Sequence, residues 1–121
     1  YSYSRVICPR NALETLTASA ITLGTNNSYD FTSSASQAYG SNQVDVGGGK
    51  FALWSGDIAN SLIPAQDGLI NQIDYDYMEQ KIQQMLNGYV TSDLTGDSFT
   101  ESADFSLLEN NVNLSIMVLK P

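Results

Sequence analysis

Twelve residues, Asp93-Leu-Thr-Gly-Asp97-Ser-Phe-Thr-Glu101-Ser-Ala-Asp104, put oxygen-bearing side chains at loop positions 1, 3, 5, 9 and 12 through Asp93, Thr95, Asp97, Glu101 and Asp104. Few arrangements suit so many acids in one short stretch, because without a counter-ion they repel and loosen the compact state. The spacing is that of an EF-hand-type calcium loop. Such a segment offers calcium about six to eight hard oxygens at roughly 2.3–2.6 Å without needing a preformed core. A plain polar surface loop between two helices has a similar composition, since Asp, Ser, Thr and Gly are common in loops. The regular spacing, and an apolar helix-like stretch starting at Phe105, favour the metal reading. Position 6 is Ser98, where the commonest pattern has Gly for the sharp turn.

A second, distorted copy lies upstream. Asp67-Gly-Leu-Ile-Asn71-Gln-Ile-Asp74 fits positions 5 to 12, with Gly68 at position 6 and Asn71 at position 9. Asp57 fits position 1 and Asn60 can serve as position 3, so that Ser61–Gln66 bulges out between the early and late ligands. The register with the downstream copy is constant over its later part: Asp67 maps to Asp97, Leu69 to Phe99, Asn71 to Glu101 and Asp74 to Asp104. It continues into the following stretches, where Tyr75, Met78, Glu79 and Ile82 map to Phe105, Leu108, Glu109 and Val112. Pairs at one fixed offset are the mark of a duplicated loop–helix unit. An acidic turn without metal remains the competing reading of the upstream loop.

Charge agrees with that division. Ten of the thirteen acids lie between Asp57 and Glu109, and two divalent cations would halve the net charge of −8. That charge argues against nucleic acid and anionic membrane surfaces as partners, since both reward Lys and Arg. No run is apolar enough to span a bilayer, and no signal-peptide pattern is visible. The chain opens at Tyr1 rather than Met, as expected of a processed product or a piece of something longer. The lone Cys8 allows no internal disulfide, so an exported form would depend on packing and metal.

Two regions follow: a β-rich stretch over 1–56, poor in charge, and the duplicated acidic region over 57–121, packed together as one unit. The expected fold class is α+β. A small N-terminal β-sheet, a partial sandwich, precedes the loop–helix pair. Tyr1–Cys8 alternates as a strand does, and Ser19–Leu23 is a short strand. Thr25–Ser28 is a turn, and Ser33–Tyr39 a short helix ended by Gly40. Gly47–Gly49 breaks the chain before an apolar strand, Lys50–Trp54. Tyr75, Met78, Ile82, Met85 and Leu86 form a helix stripe stopped at Asn87-Gly88. Leu114–Leu119 either prolongs the second helix or returns as a strand to the N-terminal sheet.

The residues that usually carry catalysis are missing. With no His there is no usual triad base, and Cys8 lacks the partner a nucleophile needs. A packing cysteine on a strand is the simpler role. Asp74 with Asp76, or Glu101 with Asp104, could be a general acid and base. However, calcium spacing already claims most of them, and the local sequence offers no apolar neighbours to raise a pKa. Gly47–Gly49 has no following Lys-Ser/Thr, so it is a turn and not a phosphate cradle. Trp54 and the seven tyrosines suit packing better than a sugar platform.

Several short motifs in order give the chain a wider likeness: Arg10-Asn-Ala-Leu-Glu-Thr15, Tyr29-Asp-Phe31-Thr, Gln37-Ala-Tyr39-Gly40 and Phe51-Ala-Leu-Trp54-Ser-Gly56-Asp57. With the paired loops, the chain resembles the dockerin-like C-terminal module of secreted, cell-surface proteins of Bacteroidota-type bacteria. The resemblance implies calcium binding, an extracellular setting and a non-enzymatic accessory or docking role. It assigns Asp57, Asp67 and Asp74 to one ion and Asp93, Thr95, Asp97 and Asp104 to the other, with the carbonyls of Leu69 and Phe99 at position 7. Two departures stand out. Ala59 sits where that family usually has Asn, and Gln72-Ile73 and Ser102-Ala103 replace the Ser-Thr pair of cohesin-binding dockerins, so cohesin binding does not carry over. The expected partner is another protein or a neighbouring copy. A strand-poor β region also allows a second reading, a filament subunit or adhesin segment assembled by strand exchange.

Overall fold

The computed structural model describes residues 2–22, 24, 28–60 and 65–120. It is a small α+β protein. Its first strands are Ser2–Tyr3 (β1), Val6–Ile7 (β2), Thr15–Leu16 (β3) and Ile21–Thr22 (β4). β1 pairs antiparallel with β4, and β2 with β3. The single strand expected over Tyr1–Cys8 is therefore two short ones. The break falls where the register slips, between the Tyr3–Ile21 and Val6–Leu16 pairs. At that point the Arg5 N–H donates to the Thr17 hydroxyl at 3.1 Å, and the Thr17 N–H donates to the Arg5 carbonyl at 2.9 Å. Of the strand expected over Ser19–Leu23 only Ile21–Thr22 pairs, and Leu23 lies outside the described residues, as do Thr25–Asn27 of the expected turn.

Ser33–Tyr39 does not form one helix. Two single 3₁₀ turns, Ala35–Gln37 and Tyr39–Ser41, flank an extended Ala38 whose backbone bridges to Thr17. The third ribbon, Val44–Gly47 (β5) with Lys50–Ala52 (β6), turns at Gly48 and Gly49, both at positive φ as a tight hairpin requires. No described strand exceeds four residues, and the three ribbons stay separate. The partial sandwich is thus replaced by paired ribbons, because a sandwich needs longer strands with continuous inner faces. Cys8 lies just past β2 and is exposed, its thiol directed at the Glu14 carboxylate 3.7 Å away, so it does not pack.

The two helices, Gln72–Gln83 (α1) and Ser102–Asn113 (α2), lie thirty residues apart at both ends. Asn71 caps α1 by accepting from the Ile73 N–H, while Asp74 reaches back to the Asn71 N–H. That reciprocal bond pattern is a capping box. Each helix leaves through a left-handed residue, Met85 at φ 52 and Ser115 at φ 54. Helix α1 therefore stops before Asn87-Gly88, and Met85, expected on its buried stripe, is 83% exposed.

The exit segments then pair crosswise with the acidic loops. Thr100 N–H donates to the Leu86 carbonyl and Gly88 N–H to the Ser98 carbonyl. At the same offset, Ile70 N–H donates to the Ile116 carbonyl and Val118 N–H to the Gly68 carbonyl. Leu114–Leu119 is thus neither a longer helix nor a strand of the N-terminal ribbons. It pairs with the first acidic loop, because Ser115 turns the chain back sharply. Tyr75 and Phe105, equivalent positions in the two units, meet edge to face at 4.7 Å.

One core serves both regions. Leu13 joins Ile58, Ala59, Ile70, Tyr77, Met78 and Leu108, with Trp54, Ile82, Phe105 and Val112 packed against them. Backbone bonds tie the regions too: Leu13 N–H donates to the Trp54 carbonyl, and Gly56 N–H to the Asn11 carbonyl. The boundary at residue 57 is chemical and not a break in packing. Leu13→Ala should therefore cost about 2–5 kcal/mol. It should lower one cooperative urea transition, and two separate transitions would contradict a shared core.

Candidate metal centre

Each acidic loop is drawn into a ring by two carboxylates that accept from the loop's own backbone. In the downstream loop the Asp93 Oδ1 accepts from Gly96 N–H at 2.8 Å and Asp97 N–H at 3.2 Å, and its Oδ2 from Ser98 N–H at 2.9 Å. Asp104, from the first turn of α2, reaches back. Its Oδ1 accepts from Leu94 and Thr95 N–H at 2.8 and 2.9 Å, and its Oδ2 from Glu101 N–H at 2.9 Å. The upstream loop repeats the pattern. Asp57 accepts from Asp67 and Gly68 N–H, both at 3.1 Å. Asp74 accepts from Ile58, Ala59 and Asn71 N–H at 2.9, 3.0 and 3.0 Å. Position 6 needs a left-handed backbone in both loops, with Gly68 at φ 81 and Ser98 at φ 72. The upstream copy has the residue that adopts this freely, and the downstream copy holds Ser there at some strain.

These ties bring three carboxylates together in each loop. One oxygen each from Asp57, Asp67 and Asp74 lie within 4.8 Å of one another, and so do oxygens of Asp93, Asp97 and Asp104. Two ligands of one calcium ion can be no more than about 5 Å apart, twice the metal–oxygen distance, so either triad can hold a metal ion. Asp57, Asp74 and Asp104 are 1%, 0% and 0% exposed, while Asp97 lies open. The single ion pair among the described residues, Lys120 with Glu14, neutralises none of the six. At 4.8 Å and an effective dielectric of about 20, each unscreened pair of charges repels by roughly 3 kcal/mol.

The two loops answer that repulsion differently. Burial pushes the Asp57 carboxyl up to about 6, against the two N–H donors and with help from the Asp74 and Asp67 charges. Burial also raises Asp74, despite three N–H donors. The apolar setting absent from the sequence around Asp74 is supplied by the fold, through Ile58, Ala59 and Ile70. For Asp93, burial acts upward too, but the N–H groups of Ser98, Gly96 and Asp97 and the Thr95 hydroxyl outweigh it and leave the carboxyl below its ordinary value.

The remaining expected ligands fall into place unevenly. The Thr95 hydroxyl donates to Asp93 Oδ1 at 3.4 Å from an otherwise exposed residue. Leu69 and Phe99 donate their N–H groups to Asp67 and Asp97, and the crosswise pairing uses the carbonyls of Gly68 and Ser98 instead of theirs. Their carbonyls thus lie off the ladder, on the side of those two aspartates. The Asn71 oxygen is taken by the Ile73 N–H, and Glu101 is exposed at the start of α2.

Asn60 does not sit at position 3. Ala59 N–H makes the bond to Asp74 that Thr95 N–H makes to Asp104, so Ala59 takes that place and Asn60 is exposed beyond it. The residue that makes this shared bond carries the register, and in the upstream loop that residue, Ala59, has no side-chain oxygen. Two second-layer contacts had no signal in the local spacing. Asn11 Nδ2 donates to the Asp93 carbonyl at 2.9 Å, and Gln66 Nε2 donates to the Asp57 and Ala12 carbonyls at 3.1 and 2.7 Å.

No protein-family profile, curated protein or solved structure matches the chain.

The hydrogen bonds predict a clear split between buried and open members of a triad. Asp104→Ala orphans three N–H groups at about 1–3 kcal/mol each and should destabilise the protein even in chelator. Asp97→Ala, at the open end, should change chelator stability by no more than about 0.5 kcal/mol. Equal effects in denaturant titrations would mean that the backbone ties do not hold the loop.

Proposed function

We propose that this chain is a non-enzymatic, calcium-binding accessory module in which each acidic loop takes one ion and the ions act as structural staples. The observation that carries the reading is the convergence of three carboxylates at one point, twice, through the same backbone pattern. In this reading Asp57, Asp67 and Asp74 with the Leu69 carbonyl serve one ion. Asp93, Thr95, Asp97 and Asp104 with the Phe99 carbonyl serve the other. Calcium suits mixed carboxylate, hydroxyl and carbonyl oxygens on a flexible loop, whereas magnesium requires near-ideal octahedral geometry and keeps several waters. Metal binding then contributes folding free energy, because the unfolded chain has no formed site.

The resemblance to dockerin-like modules of bacterial surface proteins supports an extracellular setting and a role in docking or accessory attachment to a protein partner. The acidic balance and the absence, among the described residues, of a helix long and apolar enough to cross a membrane are compatible with that setting. Cohesin is not the expected partner, since Gln72-Ile73 and Ser102-Ala103 differ from the recognition pair.

Thermal unfolding tests the reading. A ligand at about a thousand times its Kd adds about 4 kcal/mol per site, a rise in midpoint on the order of 10–20 °C for a domain of this size. Calcium should produce that rise and magnesium much less; a midpoint unchanged by chelator would overturn the proposal. The two sites should also separate by pH, since protons and cation compete for the same carboxylates. Asp57 titrates at about 6 and Asp93 below its ordinary value, so acidification through pH 6 should weaken the upstream site first. Calcium titrations between about pH 7 and 5 would read this directly, and simultaneous loss of both sites would contradict it.

A further inference from the structure

Asn87-Gly88 has no part in ending α1, which stops earlier at the left-handed Met85, and neither candidate cation site includes it. It is the chain's single Asn-Gly dipeptide. Both residues are exposed, and the Asn87 side chain makes no hydrogen bond among the described residues. Gly88 brings no side chain to shield its backbone nitrogen, and nothing but its chain neighbours lies within 4 Å of where a Cβ would stand.

The backbone around the pair is pinned on both sides. The Leu86 carbonyl accepts from the Thr100 N–H at 3.0 Å and the Gly88 N–H donates to the Ser98 carbonyl at 2.8 Å, which sets Asn87 opposite Phe99. Ser98 is held in turn by the downstream ring, since its N–H donates to Asp93 Oδ2 at 2.9 Å and its backbone keeps a φ of 72. One residue therefore ties the Gly88 nitrogen to the acidic ring.

We propose that Asn87 is a deamidation site gated by closure of the downstream ring. The reaction needs water alone as co-reactant. The Gly88 nitrogen gives up its proton and attacks the Asn87 Cγ; a new N–C bond closes a succinimide ring, and the side-chain nitrogen leaves with a proton as ammonia. Water then adds to either ring carbonyl and opens it, to aspartate or to isoaspartate. While the ring is closed, the Gly88 N–H stays bonded to Ser98 and its peptide plane is fixed by the ladder. Attack therefore waits on local opening.

The other unit shows that the pairing does not call for asparagine. Thirty residues on, Met117 bridges to Leu69 and the Val118 N–H donates to the Gly68 carbonyl at 2.8 Å, and a Met-Val pair cannot cyclise. The reaction thus falls on one unit only. Aspartate at this point adds negative charge beside the loop that carries Asp93, Asp97 and Asp104. Isoaspartate also adds a carbon to the backbone between the Leu86 and Gly88 bonds, so the two no longer match Thr100 and Ser98. Either product loosens the ring that had restrained the reaction, and the change runs one way.

Peptide mapping by mass spectrometry reads the step in the full chain aged at mildly alkaline pH. Chelator in the buffer keeps the result independent of any metal. Asn87 should convert at least about tenfold more slowly in the folded protein than in urea above its unfolding transition. Asp93→Ala, which releases the Ser98 N–H, should speed the conversion severalfold, and hydrogen exchange of the Gly88 amide should quicken in proportion. Should that variant not fold, the unsubstituted chain in urea below its transition gives the same comparison, with conversion rising in step with Gly88 exchange. Equal rates in folded and unfolded protein would overturn the gate, as would conversion indifferent to Gly88 exchange. An Asn87 that survives in the unfolded chain would overturn the site itself.

Discussion

Two buried carboxylates, Asp74 and Asp104, organise the acidic half of this protein. Each accepts three backbone N–H groups, two from the start of its loop and one from the residue that opens its helix. Those bonds do two jobs with one side chain. They cap the helix, and they curl the loop until its first and last acids face each other. Without Asp104, the N–H groups of Leu94, Thr95 and Glu101 would have no acceptor, and the ring around Asp93 would open. The rest follows from the ring: the convergence of three aspartates, the crosswise pairing of exit segments, and the contact of Tyr75 with Phe105.

That arrangement places carboxylate oxygens within 4.8 Å of one another and then buries part of them. A fold can tolerate this in two ways. It can raise a carboxylate's proton affinity, as burial does for Asp57, pushed up to about 6, so that mild acidification begins to neutralise it. It can also surround the charge with N–H donors, as around Asp93. Both responses occur in one small protein, in loops related by duplication. The copies have diverged most in how they manage charge, and least in the backbone pattern that gathers it.

Much of this was legible in the residues. The spacing from Asp93 to Asp104 and the constant offset from Asp67 to Asp97 located both rings and both helices, because ligand spacing and duplication are properties of the chain itself. The α+β class followed from the shift at residue 57. Other features depended on contacts no local pattern carries. Asn60 looked like position 3 because it bears an oxygen, yet counting from the first aspartate as in the other copy leads to Ala59. The left-handed Met85 and Ser115 have no glycine to announce them, so the residues alone place the stop of α1 too late and leave the course of Leu114–Leu119 open. Arg5 and Thr17 interrupt a strand that alternation alone would continue. Asn11 reaches the Asp93 carbonyl from 82 residues away, and Gln66 joins the Asp57 carbonyl to that of Ala12, 54 residues before it, beyond any motif.

The crosswise pairing has a mechanical side. Gly68 and Ile70 are joined to Val118 and Ile116 by two backbone hydrogen bonds, and Ile116 and Val118 also pack against the core. A tensile load entering at Lys120 would meet its ion pair with Glu14 and then that pair of bonds, opening them one after the other, like a zip. The packing of Ile116 and Val118 on the shared core would yield together with those bonds. Loop Asp57–Asp74 would lose its neighbour early, while Asp93–Asp104, closed by a hairpin from its own preceding segment, would keep its own.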